Sequence, residues 1–173
     1  MEKTSYLEGK RCYLSGPIEF GSGPNWRIVP SEVLVNEFKL DLFDPFNDPK
    51  QQWAPKLAKA RSEKNYNEMV RIAKNFVRKD LSVVDGSDFI VACLPRGVPT
   101  TGTVHEIINK SLSKKPVLIV CSEGKEFVPF WYWGFIPHTQ MFGNWEDLYQ
   151  YLREVNVGLH SDNYRWDYIC GRI

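Results

Sequence analysis

The segment that most constrains the fold is Asp80–Glu106, DLSVVDGSDFIVACLPRGVPTTGTVHE. Its six consecutive apolar residues, Phe89–Leu94, are bounded by DGSD before and PRG after, which predicts a strand that is buried on both faces. Such strands are typical of parallel sheets packed between helices. The loop after the strand therefore leaves the carboxyl edge of the sheet, where open α/β folds bind their ligands. Glu106 is predicted to lie at that edge, one turn into the next helix.

Strands and helices are predicted to alternate along the rest of the chain, which favours an α/β fold with a parallel sheet. The other predicted strands are Arg11–Ser15, Leu40–Phe43, Pro116–Cys121 and Met141–Phe142. The predicted helices are Ser31–Lys39, Ala54–Val84, the helix of Glu106, which ends near Ser113, and Asn144–Val155. The second of these is one helix, or two with a break at Asn65-Tyr66-Asn67. Glu19–Pro30 is expected to form an ordered loop, and the aromatic tail Gly158–Ile173 to pack on its own domain or on a neighbouring subunit.

Three further segments are expected at the same sheet edge. Gly16 follows the first strand, where a glycine lets the backbone approach a ligand closely. Asp44 begins the DPFNDP turn after the second strand, and it lies on the same edge if the two strands are parallel. Gly102 and the free amides that open the helix of Glu106 offer a site for an anion or a hydroxyl group.

Composition excludes several classes of protein. A chain of 173 residues with 43% hydrophobic content is long enough for one domain, residues 1–173, and too short to expect two. A net charge of +1 gives no electrostatic reason to expect a nucleic acid or an anionic membrane as partner. The cysteines and histidines lack the spacing of a metal site, so no metal is expected, and the cysteines are interpreted as reduced core residues of a cytoplasmic protein. Neither a signal peptide nor a membrane-spanning run is predicted.

Both carboxylates of the central segment allow a structural and a functional interpretation. Asp80, near the C-terminal end of a helix, opposes the helix dipole, so it is either a solvated partner of Arg78 or Lys79 or a side chain that points toward Glu106. Thr103-Val104-His105-Glu106 fits a capping box, in which the glutamate bonds the N-cap amide. The alternative is that Glu106 points into the ligand cleft.

Two other groups of residues leave similar alternatives open. The aromatic segment Phe127–Phe135, FVPFWYWGF, is either a flap that covers the core or a wall for a flat ligand such as a nucleobase, with Trp131 as the expected contact. Arg27 and Arg96 are either phosphate ligands or solvated surface residues.

Three short motifs resemble the nucleoside 2-deoxyribosyltransferases and the related deoxynucleoside-monophosphate N-glycosidases: YLSGPI, DLSVVDGSDFIVACL, and GTVHEI ahead of KKPVLIV. The resemblance implies a flavodoxin-like (Rossmann-like) sheet of about five strands flanked by helices, and a homodimer or higher homo-oligomer with sites completed at subunit contacts. It implies that Glu106 attacks C1′ of a 2-deoxyribose to form a covalent deoxyribosyl-enzyme. It further implies that Asp80 positions this nucleophile and protonates the leaving base, that Tyr13 lies beside the nucleophile, and that no cofactor is needed.

Together, the motifs and the sheet-edge positions define the expected site. The expected substrate-binding residues are Ser15, Gly16, Pro17, Asp44, Thr100, Thr101, Gly102, Thr103 and Trp131. Many of the transferases place an aspartate where this chain has Thr100, and the aromatic segment lacks the asparagine that a neighbouring subunit supplies in those enzymes. The threonines at the helix start would suit a 5′-phosphate.

The expected function is deoxyribosyl transfer between a deoxynucleoside and a nucleobase. Hydrolysis of deoxynucleoside monophosphates is the alternative. A non-catalytic nucleotide-binding module is a further alternative, which the presence of both carboxylates disfavours.

Overall fold

A parallel sheet of five strands, in the order β2-β1-β3-β4-β5, forms the centre of the protein in a computed structural model. The structure describes residues 5–18, 25–160 and 163–170. The strands are β1 (Arg11–Ser15), β2 (Asp41–Phe43), β3 (Phe89–Cys93), β4 (Val117–Val120) and β5 (Met141–Phe142). This strand order is that of flavodoxin-like folds. The predicted fold class and all five predicted strands are confirmed.

Helices cover both faces of the sheet. They are α1 (Asn25–Asn36), α2 (Ala54–Ser62), α3 (Tyr66–Gly86), α4 (Thr101–Leu112), α5 (Trp145–Asn156) and α6 (Tyr164–Cys170). Short 3-10 helices lie at Pro45–Asn47, Pro49–Trp53, Lys125–Phe127, Phe130–Gly134 and His138–Gln140. Across the described parts of the chain, no helix combines the length and the apolar content that a membrane crossing requires.

Two hydrophobic clusters pack on opposite faces of the sheet. Because side chains alternate along a strand, β1 sends Cys12 and Leu14 to the cluster that contains residues of α1, α5 and α6. Tyr13 points to the other cluster, which contains Val84 of α3 and Ile107 of α4. The alternation therefore directs Tyr13 toward the helices that carry the two carboxylates.

The predicted start of the first helix was wrong, and the second predicted helix is divided in two. Helix α1 begins at Asn25, so the part of the expected loop from Asn25 to Pro30 is helical, whereas residues 19–24 lie outside the described part of the chain. Pro30 lies inside this helix, which is why the sequence pattern placed the helix start after it. Of the two alternatives for Ala54–Val84, the one with two helices is correct, and the Asn65 side chain caps α3 by accepting a hydrogen bond from the amide of Glu68.

Candidate active site

Glu106 is held at the carboxyl end of β1 by two hydroxyl groups. Tyr13 Oη donates to Glu106 Oε1 at 2.8 Å, and Ser15 Oγ donates to Glu106 Oε2. The glutamate side chain does not cap its own helix, because α4 begins at Thr101 and Thr103 lies within its first turn. The capping-box interpretation is therefore wrong. Glu106 is only 8% exposed, and its carboxylate is oriented by neutral donors from a neighbouring strand.

Burial sets the protonation behaviour of this cluster. Loss of hydration raises the pKa of Glu106, while the hydrogen bonds from Ser15 and Tyr13 and the charges of Lys50 and Arg27 act in the opposite direction. Burial, followed by the nearby Glu106 charge, raises the pKa of Tyr13. Tyr13 therefore stays protonated and remains a hydrogen-bond donor.

Asp80, the second carboxylate, forms a salt bridge with Lys50 rather than with either of the neighbours expected from the sequence. Lys50 lies in the 3-10 helix Pro49–Trp53, and its Nζ contacts Asp80 Oδ1. Lys79 instead pairs with Asp48 at 2.7 Å. No pattern in the sequence points to Lys50, because thirty residues separate it from Asp80 and no periodicity relates the two positions.

A cavity of about 530 Å³ brings both carboxylates to one surface. Its wall includes the following predicted site residues: Gly16, Pro17, Asp80, Thr100, Thr101, Gly102, Thr103 and Glu106. The remaining wall is mostly apolar and comes from Ile18, Pro45, Gln51, Ala54, Leu57, Pro99 and Phe76. The cavity has the size of small-molecule sites, which commonly measure about 300–1,000 Å³.

Asp44 and Arg27 form a buried ion pair that supports the cavity from outside its wall. Arg27 Nη1 lies 2.5 Å from Asp44 Oδ1, and Asp44 also accepts the amide of Phe46 at 3.0 Å. The same guanidinium donates to the carbonyl oxygens of Leu14 at 3.1 Å and of Gly16 at 2.9 Å. Asp44 is not among the residues that line the cavity. At 2% exposure, Arg27 is not the solvated surface residue that one interpretation expected.

The aromatic segment does not contribute to this cavity. Trp131 is 70% exposed, and it is not among the residues that line the cavity wall. Tyr132 is buried against the core, and Trp133 Nε1 donates to the carbonyl oxygen of Val128 at 3.1 Å. Arg96 lies over the ring of Phe127, 4.1 Å from its centre. Part of the segment thus covers the core, and Trp131 faces away from it.

The described residues offer no cluster of three or more His, Cys, Asp or Glu side chains that is placed to hold a metal ion. The polar groups that line the cavity are the carboxylates of Asp80 and Glu106, threonine hydroxyls, the amide of Gln51 and the main-chain amides that open α4. Most enzymes that cleave glycosidic bonds use a pair of carboxylic acid side chains at one cavity.

Comparison with known proteins identifies a structural relative. No family model and no curated protein sequence matches the chain. The chain is similar in structure to a 2-deoxyribosyltransferase from the psychrotolerant bacterium Bacillus psychrosaccharolyticus, with a TM-score of 0.53 and 17% identity over 80% of this chain and 89% of that one. At this level of identity, the similarity shows a shared flavodoxin-like fold.

Proposed function

We propose that the protein cleaves the N-glycosidic bond of 2′-deoxynucleosides and transfers the deoxyribosyl group to another nucleobase. The observation that carries this proposal is the placement of Glu106, a buried carboxylate oriented by Tyr13 and Ser15 at a cavity that it shares with Asp80. The fold of the 2-deoxyribosyltransferase relative supports the same chemistry.

The reaction begins with attack of a Glu106 carboxylate oxygen on C1′ of the sugar. The C1′–O bond forms while the C1′–N bond breaks, and the electron pair of the broken bond goes to the leaving base. Each Glu106 oxygen accepts one hydroxyl hydrogen bond and keeps another lone pair for the attack. A nitrogen of a second base then attacks C1′ and releases Glu106, so two displacements move the sugar between bases.

The cavity wall gives the base and the sugar different surroundings. Phe76 and Asp80 lie one helical turn apart on α3, so an aromatic ring and a carboxylate face the same region. Leu57 adds apolar surface to the cavity. We place the flat base along this wall, with its nitrogens toward Asp80, and the sugar beside Glu106.

A nucleotide hydrolase is the second candidate, and the start of α4 favours it. No side chain caps this helix, and the Thr100 hydroxyl makes no capping hydrogen bond. Thr101 and Gly102 line the cavity at this helix start, and a side-chain atom added at Gly102 would meet nothing within 4 Å. Open amides at a helix N-terminus bind phosphate, so a deoxynucleoside 5′-monophosphate also suits the cavity.

The test is a mass-resolved incubation with a panel of deoxynucleosides and their 5′-monophosphates, with and without a free acceptor base. A new deoxynucleoside that forms only with acceptor would support transfer. Free base released from monophosphates regardless of acceptor would support the hydrolase. No turnover with any substrate would refute both and favour a binding module.

Trapping the covalent deoxyribosyl-enzyme and mapping its peptides by mass spectrometry tests whether Glu106 is the nucleophile. We expect the deoxyribosyl group on Glu106, and Glu106→Gln should abolish the adduct, whereas the exposed control Glu63→Gln should retain it. A sugar on Asp80 would refute the assignment. The homo-oligomer and the cytoplasmic location stay predictions, and size-exclusion chromatography with light scattering tests the first.

A further inference from the structure

The salt bridge between Asp80 and Lys50 leaves the leaving base without an obvious proton donor. This inference rests on the proposed function, in which the departing base nitrogen must receive a proton. A nucleobase that leaves as an anion is a poor leaving group, and protonation lets it leave as a neutral molecule. Asp80 lines the cavity and is the residue expected to supply it. A carboxylate paired with an ammonium group, however, carries no proton of its own to give.

Lys50 is the group in contact with Asp80 that does carry a proton. Its side chain is only 9% exposed, and its ammonium lies 5.6 Å from the centre of the Phe76 ring. Lys50 also lines a second cavity of about 110 Å³, which shares Phe76 with the main cavity. Lys50 therefore contacts Asp80 from outside the lining of the main cavity and borders a separate, smaller cavity.

The charges around Lys50 tune how readily it releases a proton. Burial lowers its pKa to about 8, with Lys79 acting in the same direction, whereas the negative charges of Asp48 and Glu106 and of Asp80, which contacts the ammonium directly, act against this change. These neighbours come from the turn before Lys50, from α3 and from α4. A group that titrates near neutral pH is well matched to proton transfer.

We propose that Lys50 is the source of the proton for the leaving base and delivers it through the Asp80 carboxylate. As C1′–N breaks, Lys50 Nζ transfers its proton to the Asp80 carboxylate, and Asp80 passes that proton to the base nitrogen. The step ends with a neutral lysine amine, an Asp80 carboxylate, a neutral base and the sugar ester on Glu106, so the charge is balanced. In the second step, the proton of the attacking base or water returns to Lys50 by the same route.

The test compares two substrates that differ in their need for a proton. 2′-Deoxyinosine needs one at the leaving base, whereas 7-methyl-2′-deoxyguanosine already carries a positive base that leaves as a neutral molecule. Each is used as the nucleoside and as the 5′-monophosphate, so that transfer and hydrolysis are both covered. The variants are Lys50→Met, Lys50→Arg and, as the control, Lys59→Met, whose side chain is 73% exposed.

We expect Lys50→Met to lower kcat/KM for deoxyinosine by about 100-fold or more, in the range of a lost acid catalyst, and to affect the methylated substrate far less. Lys50→Arg should resemble Lys50→Met, because a guanidinium keeps the charge but does not release a proton. Loss of the Lys50 proton should also make wild-type kcat/KM for deoxyinosine fall as the pH rises through about 8, and this limb should be absent in Lys50→Met.

Four outcomes would overturn the inference. Wild-type activity in Lys50→Arg would show that only the charge of Lys50 matters. Equal losses for both substrates in Lys50→Met would show a structural role, and an unchanged alkaline limb would exclude Lys50 as the titrating group. If the wild-type protein cleaves neither these substrates nor any other deoxynucleoside or 5′-monophosphate of the panel, the proposed function itself fails, and the relay fails with it.

Discussion

Asp44→Asn is the substitution with the most clearly defined structural consequence. It removes the charge that faces Arg27 in a pair whose side chains are 3% and 7% exposed. Arg27 also donates to the carbonyl oxygens of Leu14 and Gly16, the residues on either side of Ser15. The substitution therefore leaves a buried guanidinium without its counterion, next to the strand end that orients Glu106.

The magnitude follows from the burial of the pair. Removing one partner of a buried ion pair costs about 3–5 kcal/mol, because the other charge stays desolvated. The remaining amide oxygen and the carbonyl partners of Arg27 favour the lower end of that range. For a chain of this size, each kcal/mol lowers the melting temperature by roughly 2–4 °C, so we expect a decrease of roughly 6–12 °C.

Asp41→Asn is the matched control. Asp41 opens the same strand that Asp44 follows and also faces an arginine, Arg11, at 3.7 Å. Both of these side chains are about 70% exposed, at 68% and 70%, so loss of this pair should cost under about 1 kcal/mol. Urea unfolding followed by circular dichroism measures the free energy of unfolding of both variants. Equal losses in the two would refute the claim that burial makes the Arg27–Asp44 pair important.

Two further predictions concern the cavity. The pKa of Glu106 is raised in the folded state, so the folded protein binds this proton more tightly than the unfolded chain does. The resulting contribution to the free energy of unfolding is complete at pH values below the unfolded pKa, and it is lost as the pH rises through the folded pKa. Glu106→Gln should therefore have a higher free energy of unfolding than the wild type at pH 7, and this difference should shrink toward acid pH. Chemical unfolding at pH 7 and at pH 5 measures it, and a larger difference at pH 5 would contradict the prediction. Gly16→Ala would place a Cβ atom 2.4 Å from Trp26 Cζ2 and should cost about 1–3 kcal/mol. Gly102→Ala, whose new Cβ meets nothing within 4 Å, is its control, and thermal melts that rank the two in the opposite order would refute the packing explanation.

The sheet could be predicted because its signals are local. The run Phe89–Leu94 is apolar throughout, and β3 is buried at every position. Helix α1 was misplaced because its first turns depend on contacts distant in sequence. Trp26 stacks on Trp145 at 5.9 Å, and Arg27 reaches Asp44. Neither contact leaves a periodic pattern in the sequence.

The sequence predicted which residues lie near the site, but it did not predict which side chains contact each other there. Short motifs and strand ends placed Tyr13, Glu106 and Asp80 near one sheet edge, and the structure brings them together there. Side-chain pairing could not be predicted in the same way. The partner of Asp80 is Lys50, from a turn thirty residues earlier, and nearer lysines and arginines looked equally suitable.

The groups that bond the two carboxylates differ, and this difference supports the roles proposed for them. Lys50 neutralises Asp80 and occupies a lone pair of its carboxylate, which weakens Asp80 as a nucleophile. Among the described residues, the hydrogen-bond donors to Glu106 are the neutral hydroxyls of Tyr13 and Ser15, so no contacting cation neutralises its ionised form, and the burial that raises its pKa makes that form more basic. The same burial reduces the ionised fraction in acid, so the acid limb of kcat/KM should lie above the ordinary glutamate pKa of about 4.3. A pH–rate profile with 7-methyl-2′-deoxyguanosine, whose base needs no proton, isolates this limb, and full activity at pH 4 would refute Glu106 as the buried nucleophile.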